Sequence, residues 1–504
     1  MLNVFNTSPE LAESNVDTAV LALGSLEPKG PHLPIGLDLL LAEHFARDFC
    51  SGKAVYLLAS QPYSSAVEAR GFRGTVALSQ QTLWDAVTDI ATCLARHRFK
   101  RLIVLDFANY SWIVKQSVRE INLDAGLLEA VWVAPKVFAK ESADKALLPD
   151  NGGGAVETAL AMALFPKLVR KPLVDFAPDA PREYIDYKGL KALAPEGYWG
   201  RPSRASAELG RRLYEIMLEK SREFVDYALE MFPGGRGLAA HKADEVWWPE
   251  GEIPGVEKGE GTVSRGVDWH NTLKEIAESG AEIAVLPTSS TEQHSPAMPL
   301  GTDYFQALEI ARRVAGRLGA YLLPALPVIT SWCHSHFRGT VSFRAMTARR
   351  VIEDAVASLY AGGFRKVAIV NFHGGNWVVK PTMIELNRAY GDLTLISTGD
   401  ILAYRGQAAS ADLHANEGEG SFVRAFHPKA FKAERVVDFT PNCTASALDF
   451  VGMAGVSPHG VWGYPSRSTP EAGRKYIEAH AGEAASYIAK TFADLDKRFP
   501  PRLR

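Results

Sequence analysis

The strongest constraint on this chain is that it repeats itself. Glu27 and Asp38, within Leu21-Ala-Leu-Gly-Ser-Leu-Glu-Pro-Lys-Gly-Pro-His-Leu-Pro-Ile-Gly-Leu-Asp38, stand 265 residues before Glu292 and Asp303. Phe72-Arg-Gly-Thr75 recurs at the same offset as Phe337-Arg-Gly-Thr340, and Leu102-Ile-Val-Leu-Asp-Phe107 recurs as Val367-Ala-Ile-Val-Asn-Phe372. Tyr198-Trp-Gly-Arg-Pro-Ser-Arg204 matches Val461-Trp-Gly-Tyr-Pro-Ser-Arg467, 263 residues on. A near-constant offset over this length means two copies of one fold in tandem. In each copy apolar runs alternate with amphipathic helical patterns, the βαβ signature of a mainly parallel sheet with helices on both faces. The predicted class is α/β: two tandem three-layer α/β/α domains, at 1–235 and 267–504. In the second copy the pattern predicts strands near 283–288, 321–324, 366–371 and 393–397, and helices near 303–318, 347–362 and 376–390. Between the copies, 236–266 is Gly/Pro-rich and charged; it reads as a linker packed on the surface through Trp247 and Trp248.

A chain of 504 residues, 47% hydrophobic and 22% charged, is ordinary for a globular protein and too long for one core. A net charge of −3 gives no bulk attraction to nucleic acid or anionic membrane. The four cysteines, Cys50, Cys93, Cys333 and Cys443, show no CxxC spacing, which fits a reducing compartment and argues against a disulfide framework. With no signal peptide and no long apolar run, the expected location is the cytoplasm, with no membrane span.

The chemistry gathers in Thr291-Glu-Gln-His-Ser-Pro-Ala-Met-Pro-Leu-Gly-Thr-Asp303. It follows the apolar run Ile283-Ala-Val-Leu-Pro287, so it falls at the carboxyl edge of the sheet, where open α/β folds bind ligands. Glu292 and His294 are two apart and share a side on extended backbone. Pro296, Pro299 and Gly301 turn the chain and bring Asp303 back towards them. Two carboxylates and an imidazole suit a divalent ion such as zinc, manganese or iron. His373, in Asn371-Phe-His-Gly-Gly-Asn376, sits at the same edge after its own strand. Asp412-Leu-His-Ala-Asn-Glu-Gly-Glu-Gly-Ser421 opens a helix. There Glu419 is the preferred remaining ligand and His414 the general acid/base; Glu417 is the second choice for either role. Two carboxylates and an imidazole per ion leave a position open for hydrolytic chemistry, and a bridging Asp303 makes the site a two-metal one. Trp332, His334 and His336, ahead of Phe337, and Trp377 and Trp462 are candidates for pocket walls. Arg338 is a candidate either to hold an anionic substrate or, equally, only to anchor a loop, and Asn376 is a further candidate substrate contact.

The ordered set Glu-x-His-(eight residues)-Asp, Phe-x-Gly-Thr, Asn-x-His-Gly-Gly-Asn, His-Ala-x-x-x-Glu and Gly-Val-Trp-Gly resembles the creatininase (creatinine amidohydrolase) family, over 280–490 and more weakly over 15–225. The resemblance implies a parallel sheet sandwiched by helices, one or two divalent ions, hydrolysis of amide-like bonds in small cyclic or formylated substrates, and a homo-oligomer. It also implies Glu292, His294, Asp303 and His373 as ligands, with Asp303 bridging. Creatininase proper has a glutamate where this chain has Gly375, which argues against creatinine itself and passes that ligand role to Glu419.

At the corresponding positions the first copy keeps Glu27 and Asp38 but has Lys29 for His294, Ala108 for His373 and Gly152 for His414. A protonated lysine has no lone pair for a metal and alanine has no donor. The first copy is therefore expected to hold no ion, with Lys29 pairing with Glu27 or Asp38 in its place, and to serve as a built-in partner. The leading reading is a metal-dependent amidohydrolase with ions in the C-terminal domain only. The alternatives are a metal-dependent hydrolase of a cyclic-ketone C–C bond, and a non-catalytic metal-binding scaffold. The complete ligand set of the second copy argues against the scaffold.

Overall fold

The structure, a computed structural model, describes residues 1–123, 127–147, 150–232, 235–239, 266–399 and 412–498. Most of the predicted linker, with Trp247 and Trp248, lies outside the described residues. The first copy contributes β1 (Leu2–Asn3), β2 (Thr18–Leu23), β3 (Tyr56–Leu57), β4 (Arg101–Asp106) and β5 (Glu129–Val133). The second contributes β6 (Val267–Asp268), β7 (Ile283–Thr288), β8 (Tyr321–Leu322), β9 (Lys366–Asn371) and β10 (Thr394–Ser397). The sheets are ordered β1-β3-β2-β4-β5 and β6-β8-β7-β9-β10, the same topology twice, and every pairing in them is parallel. The central strands β2 and β7 are apolar almost throughout because both faces are covered by helices.

The helices that matter for the site are α1 (Leu37–Cys50) in the first copy and, in the second, α2 (Thr302–Leu318), α3 (Ala345–Ala361), α4 (Val379–Ala389), α5 (Glu417–Phe426) and α6 (Pro470–Arg498). Helices α2, α3 and α4 lie within a few residues of the predicted positions. Helix α5 starts at a capping box: Asn416 accepts from the Glu419 backbone N–H and the Glu419 side chain accepts from the Asn416 N–H. The long helix α6 packs along α5 and α2.

The two copies are related by an internal pseudo-dyad, and their contacts come in pairs. The Gly301 N–H donates to the Val4 carbonyl and the Leu300 N–H to that of Asn6; reciprocally, Gly36 donates to Trp269 and Ile35 to Asn271. The Tyr56 hydroxyl donates to Gly339 O and the Tyr321 hydroxyl to Gly74 O. Arg73 donates to Ala281 O and lies over Phe364; Arg338 donates to Val16 O and lies over Phe99. Each copy thus uses its leading segment to brace the loop before the other copy's first long helix, including the loop that delivers Asp303. Leu21, Val104, Leu286 and Ile369 belong to one continuous buried cluster, so the copies share a core. Such an arrangement is that of an isologous dimer written into one chain.

Candidate metal centre

The predicted ligands come from four elements and meet at the carboxyl edge of β7 and β9. Glu292 and His294 lie on the loop after β7, Asp303 is in the first turn of α2, His373 follows β9, and Glu419 is in the first turn of α5. Asp303 stands in the middle. Its Oδ1 is 3.1 Å from His294 Nε2, its Oδ2 is 2.8 Å from His373 Nδ1, and Ser290 donates to Oδ2. His373 Nε2 is 3.3 Å from Glu292 Oε2, and His294 Nε2 is 3.8 Å from Glu419 Oε1. Two sets, Glu292/Asp303/His373 and His294/Asp303/Glu419, each offer two carboxylate oxygens and one imidazole nitrogen within 4.8 Å of one another. A third set, Glu292/His294/His414, offers one carboxylate oxygen and two imidazole nitrogens.

This donor set fits a divalent-ion pair. Neither oxygen of the buried Glu292 carboxylate receives a hydrogen bond from a donor of good geometry, an expensive condition that coordination relieves. Burial pushes the His294 and His373 imidazoles towards neutrality, but the carboxylates of Asp303, Glu292 and, for His294, Glu419 outweigh it and hold them up at about 10 and about 9. Without an ion, therefore, protons on these rings balance the carboxylates. An ion needs bare nitrogens, so binding near neutral pH, below both values, is expected to release protons, and affinity is expected to rise as pH rises towards 9. Calorimetric titration with zinc in buffers of different ionisation enthalpy checks this: a heat that does not change with the buffer contradicts it.

The centre floors a cavity of about 1490 Å³. Trp332, His336 and Trp377 line it, as do His334, His414, Tyr476 and the segment Leu448–Met453. Four of the candidate site residues lie away from the cavity. Arg338 is not at the cavity; it is committed to Val16 O and the Phe99 ring between the copies. Asn376 is fully buried, and its amide ties Thr330, Ser289 and Asn371 together, so it supports the His373 loop rather than facing substrate. Glu417 belongs to no ligand set and does not line the cavity; the helix turns Glu419 inward instead. Trp462, expected as a wall, exchanges backbone hydrogen bonds with His414 and so sets that residue in place. Gly375 has a steric reason: a Cβ there would lie 2.3 Å from His373 Nε2, so a side chain is not accommodated beside the imidazole.

His334, expected only as a wall, stands inside the cluster with Nε2 3.3 Å from Glu292 Oε1. Gln293, between two ligands in sequence, was not singled out; its amide reaches both His334 and His414. The only sequence signal for it was its place in Glu292-Gln-His294.

The first copy answers the same charge problem with lysines. Lys29 Nζ is 2.7 Å from Asp38 Oδ2, 3.2 Å from Glu157 Oε1 and 3.5 Å from Glu27 Oε2. Lys136 Nζ is 2.7 Å from Asp38 Oδ1 and 2.8 Å from Glu157 Oε1. Glu157, aligned with Glu419, makes a third retained carboxylate where sequence reasoning counted two, and Lys136 was not foreseen at all. Asp38 spans two ammonium groups as Asp303 spans two imidazoles. Burial lowers both lysines, yet the surrounding carboxylates raise them above the ordinary lysine value. Among the described residues no metal-competent cluster occurs in this copy.

Comparison with known proteins agrees with the repeat. The model of the creatininase family (creatinine amidohydrolase) matches residues 6–225 and again 269–488. A mycofactocin precursor peptide peptidase of Mycobacterium ulcerans is 30% identical over 219 residues, covering 41% of this chain and 84% of the relative. A 3-dehydro-scyllo-inosose hydrolase of Thermotoga maritima is 24% identical over 265 residues (45% and 83%), and a creatinine amidohydrolase of Pseudomonas putida 26% over 197 residues (34% and 75%). A solved creatinine amidohydrolase (creatininase) structure is 23% identical, covering 47% of this chain and 100% of that chain with a TM-score of 0.39.

Proposed function

We propose, on the premise that the chain belongs to the creatininase family, that its C-terminal copy holds two divalent ions and hydrolyses an amide-like C–N bond. The chain is an enzyme of the amidohydrolase kind. The observation that carries the finer reading is Asp303, whose two oxygens serve two separate ligand sets at the floor of a large cavity. Zinc or manganese suits the mixed carboxylate and imidazole donors. When bound, such ions polarise a carbonyl and make water acidic enough to attack near neutral pH.

The residues then divide the work. Glu292, Asp303 and His373 would hold one ion, and His294, Asp303 and Glu419 the other. His414, buried and reached from the cavity, carries a proton between the attacking water and the leaving nitrogen. Trp332 and Trp377 offer flat apolar faces for the substrate, and His336 a polar contact. The relative named as a peptide peptidase supports a C–N bond, and a cavity of about 1490 Å³ admits more than a single small ring. The relative named as an inosose hydrolase keeps a cyclic-ketone C–C bond as the second reading. Association into a homo-oligomer is part of the proposal and rests on the family resemblance alone.

The test is to load the purified chain with Zn(II) or Mn(II), count ions, and assay short peptides, formamides, cyclic amides and cyclic ketones. Up to two ions per chain and metal-dependent release of an amine are expected; His373→Ala is expected to lose that release together with the ion shared with Glu292. Four ions per chain would mean that the first copy binds metal after all. Cleavage of the ketones alone would move the reaction to the second reading.

A further inference from the structure

We infer that Gln293 is a positioning residue: it fixes the tautomers of two histidines, so that His414 presents a bare Nδ1 towards the centre and His334 turns its Nε2–H towards Glu292. This rests on the proposed function only for the use made of His414; the tautomers themselves follow from hydrogen bonding.

The Gln293 amide has one orientation. Its Oε1 accepts from the Ser295 backbone N–H at 3.0 Å, so its Nε2 faces the other way. There Nε2 meets His334 Nδ1 at 3.0 Å, Gly460 O at 3.1 Å and His414 Nε2 at 3.1 Å. An amide nitrogen has two hydrogens for these three neighbours. His414 settles the choice, because its Nε2 is also 2.9 Å from the Gln293 backbone carbonyl, which can only accept. His414 therefore carries its proton on Nε2, and its Nδ1, 3.8 Å from Glu292 Oε1, is bare. The two amide hydrogens go to Gly460 O and His334 Nδ1. That leaves the His334 proton on Nε2, 3.3 Å from Glu292 Oε1. A proton there faces Oε1 of Glu292 without closing a hydrogen bond of good geometry, while Oε2 lies on the side shared with His373. Gly460 makes the room: its φ is +64, and a Cβ there would lie 2.1 Å from Gln293 Oε1.

The internal repeat supplies an independent observation. In the first copy Gln293 corresponds to Pro28 and His334 to Ala69 at the 265 offset, and His414 to Gly152. That copy keeps the fold and three carboxylates, yet lacks all three of these residues. A side chain needed only to hold the fold is needed in both copies. One needed to place protons is needed only where chemistry occurs.

The test reads tautomers directly, by long-range proton–nitrogen correlation spectra of the full-length, zinc-loaded chain labelled with ¹⁵N-histidine near neutral pH. His334→Asn and His414→Asn assign the two rings by loss of signal. Both rings are expected as the Nε2–H tautomer in the unsubstituted protein. In Gln293→Glu, whose carboxylate accepts but cannot donate, His334 is expected to gain a proton on Nδ1. A ring that is Nδ1–H or doubly protonated in the unsubstituted protein overturns the inference, and that spectrum needs no variant to fold. An unchanged His334 in a folded Gln293→Glu protein overturns it as well. Zinc content and hydrolysis are read on the same samples. Correct tautomers with zinc but no amide hydrolysis would defeat the proposed function and leave this inference standing.

Discussion

Asp303→Ala is expected to remove both ions and, with them, activity by on the order of 10³-fold or more. The reason is its central place. Asp303 is the single side chain common to the Glu292/His373 and His294/Glu419 sets. Its loss would take one oxygen from each set and leave the two imidazoles facing fewer carboxylates. The fold should survive, because Asp303 sits in the first turn of α2 and its neighbours Val4 and Asn6 brace the loop through backbone bonds that alanine keeps. Elemental analysis of the purified variant and its circular dichroism check both halves of the claim. A folded variant that retains two ions would show that Asp303 does not bridge. Glu417→Gln is the contrasting control, expected to keep ions and activity, since Glu417 joins no ligand set.

The second large effect lies in the first copy. Lys29→Met is expected to destabilise the protein by about 3–5 kcal/mol, as removal of one partner from a buried ion pair does. Lys29 is fully buried, and its ammonium contacts Glu27, Asp38 and Glu157. The substitution leaves three buried carboxylates facing Lys136 alone. Because the copies share one core, the loss should appear as an earlier midpoint of the whole urea transition, not as separate melting of one half. Zinc content per chain is the control measurement. A variant as stable as the parent would mean that the lysine cluster is incidental to the fold. Chelation separates the copies in the opposite sense: it should affect the C-terminal site and leave the lysine cluster untouched.

The two predictions show how far the sequence reaches. Glu292, His294, Asp303 and His373 were legible because each follows a strand or opens a helix, and the βαβ order sends those places to one sheet edge. The preference for Glu419 over Glu417 came from the family pattern, with the ligand role passed on from the position of Gly375, and the capping box at Asn416 holds the Glu419 carboxylate at the start of α5. Arg338 stayed open between a substrate and a loop because a guanidinium looks the same in sequence whether it meets an anion or a carbonyl of the other copy. Lys136 was missed because it is far from any motif; only folding brings it against Asp38.

The residues alone establish that there are two copies, that each is a parallel α/β unit, and that only the later one keeps histidines beside the shared carboxylates. Those properties are local: they reside in offsets, periodicity and the lone pairs of particular side chains. Tertiary structure alone decided that the copies brace each other's loops, that two lysines occupy the vacated charge positions, and that Gln293 joins His334 to His414. Those contacts run largely through backbone carbonyls and side chains distant in sequence, where no residue pattern records which partner will be met.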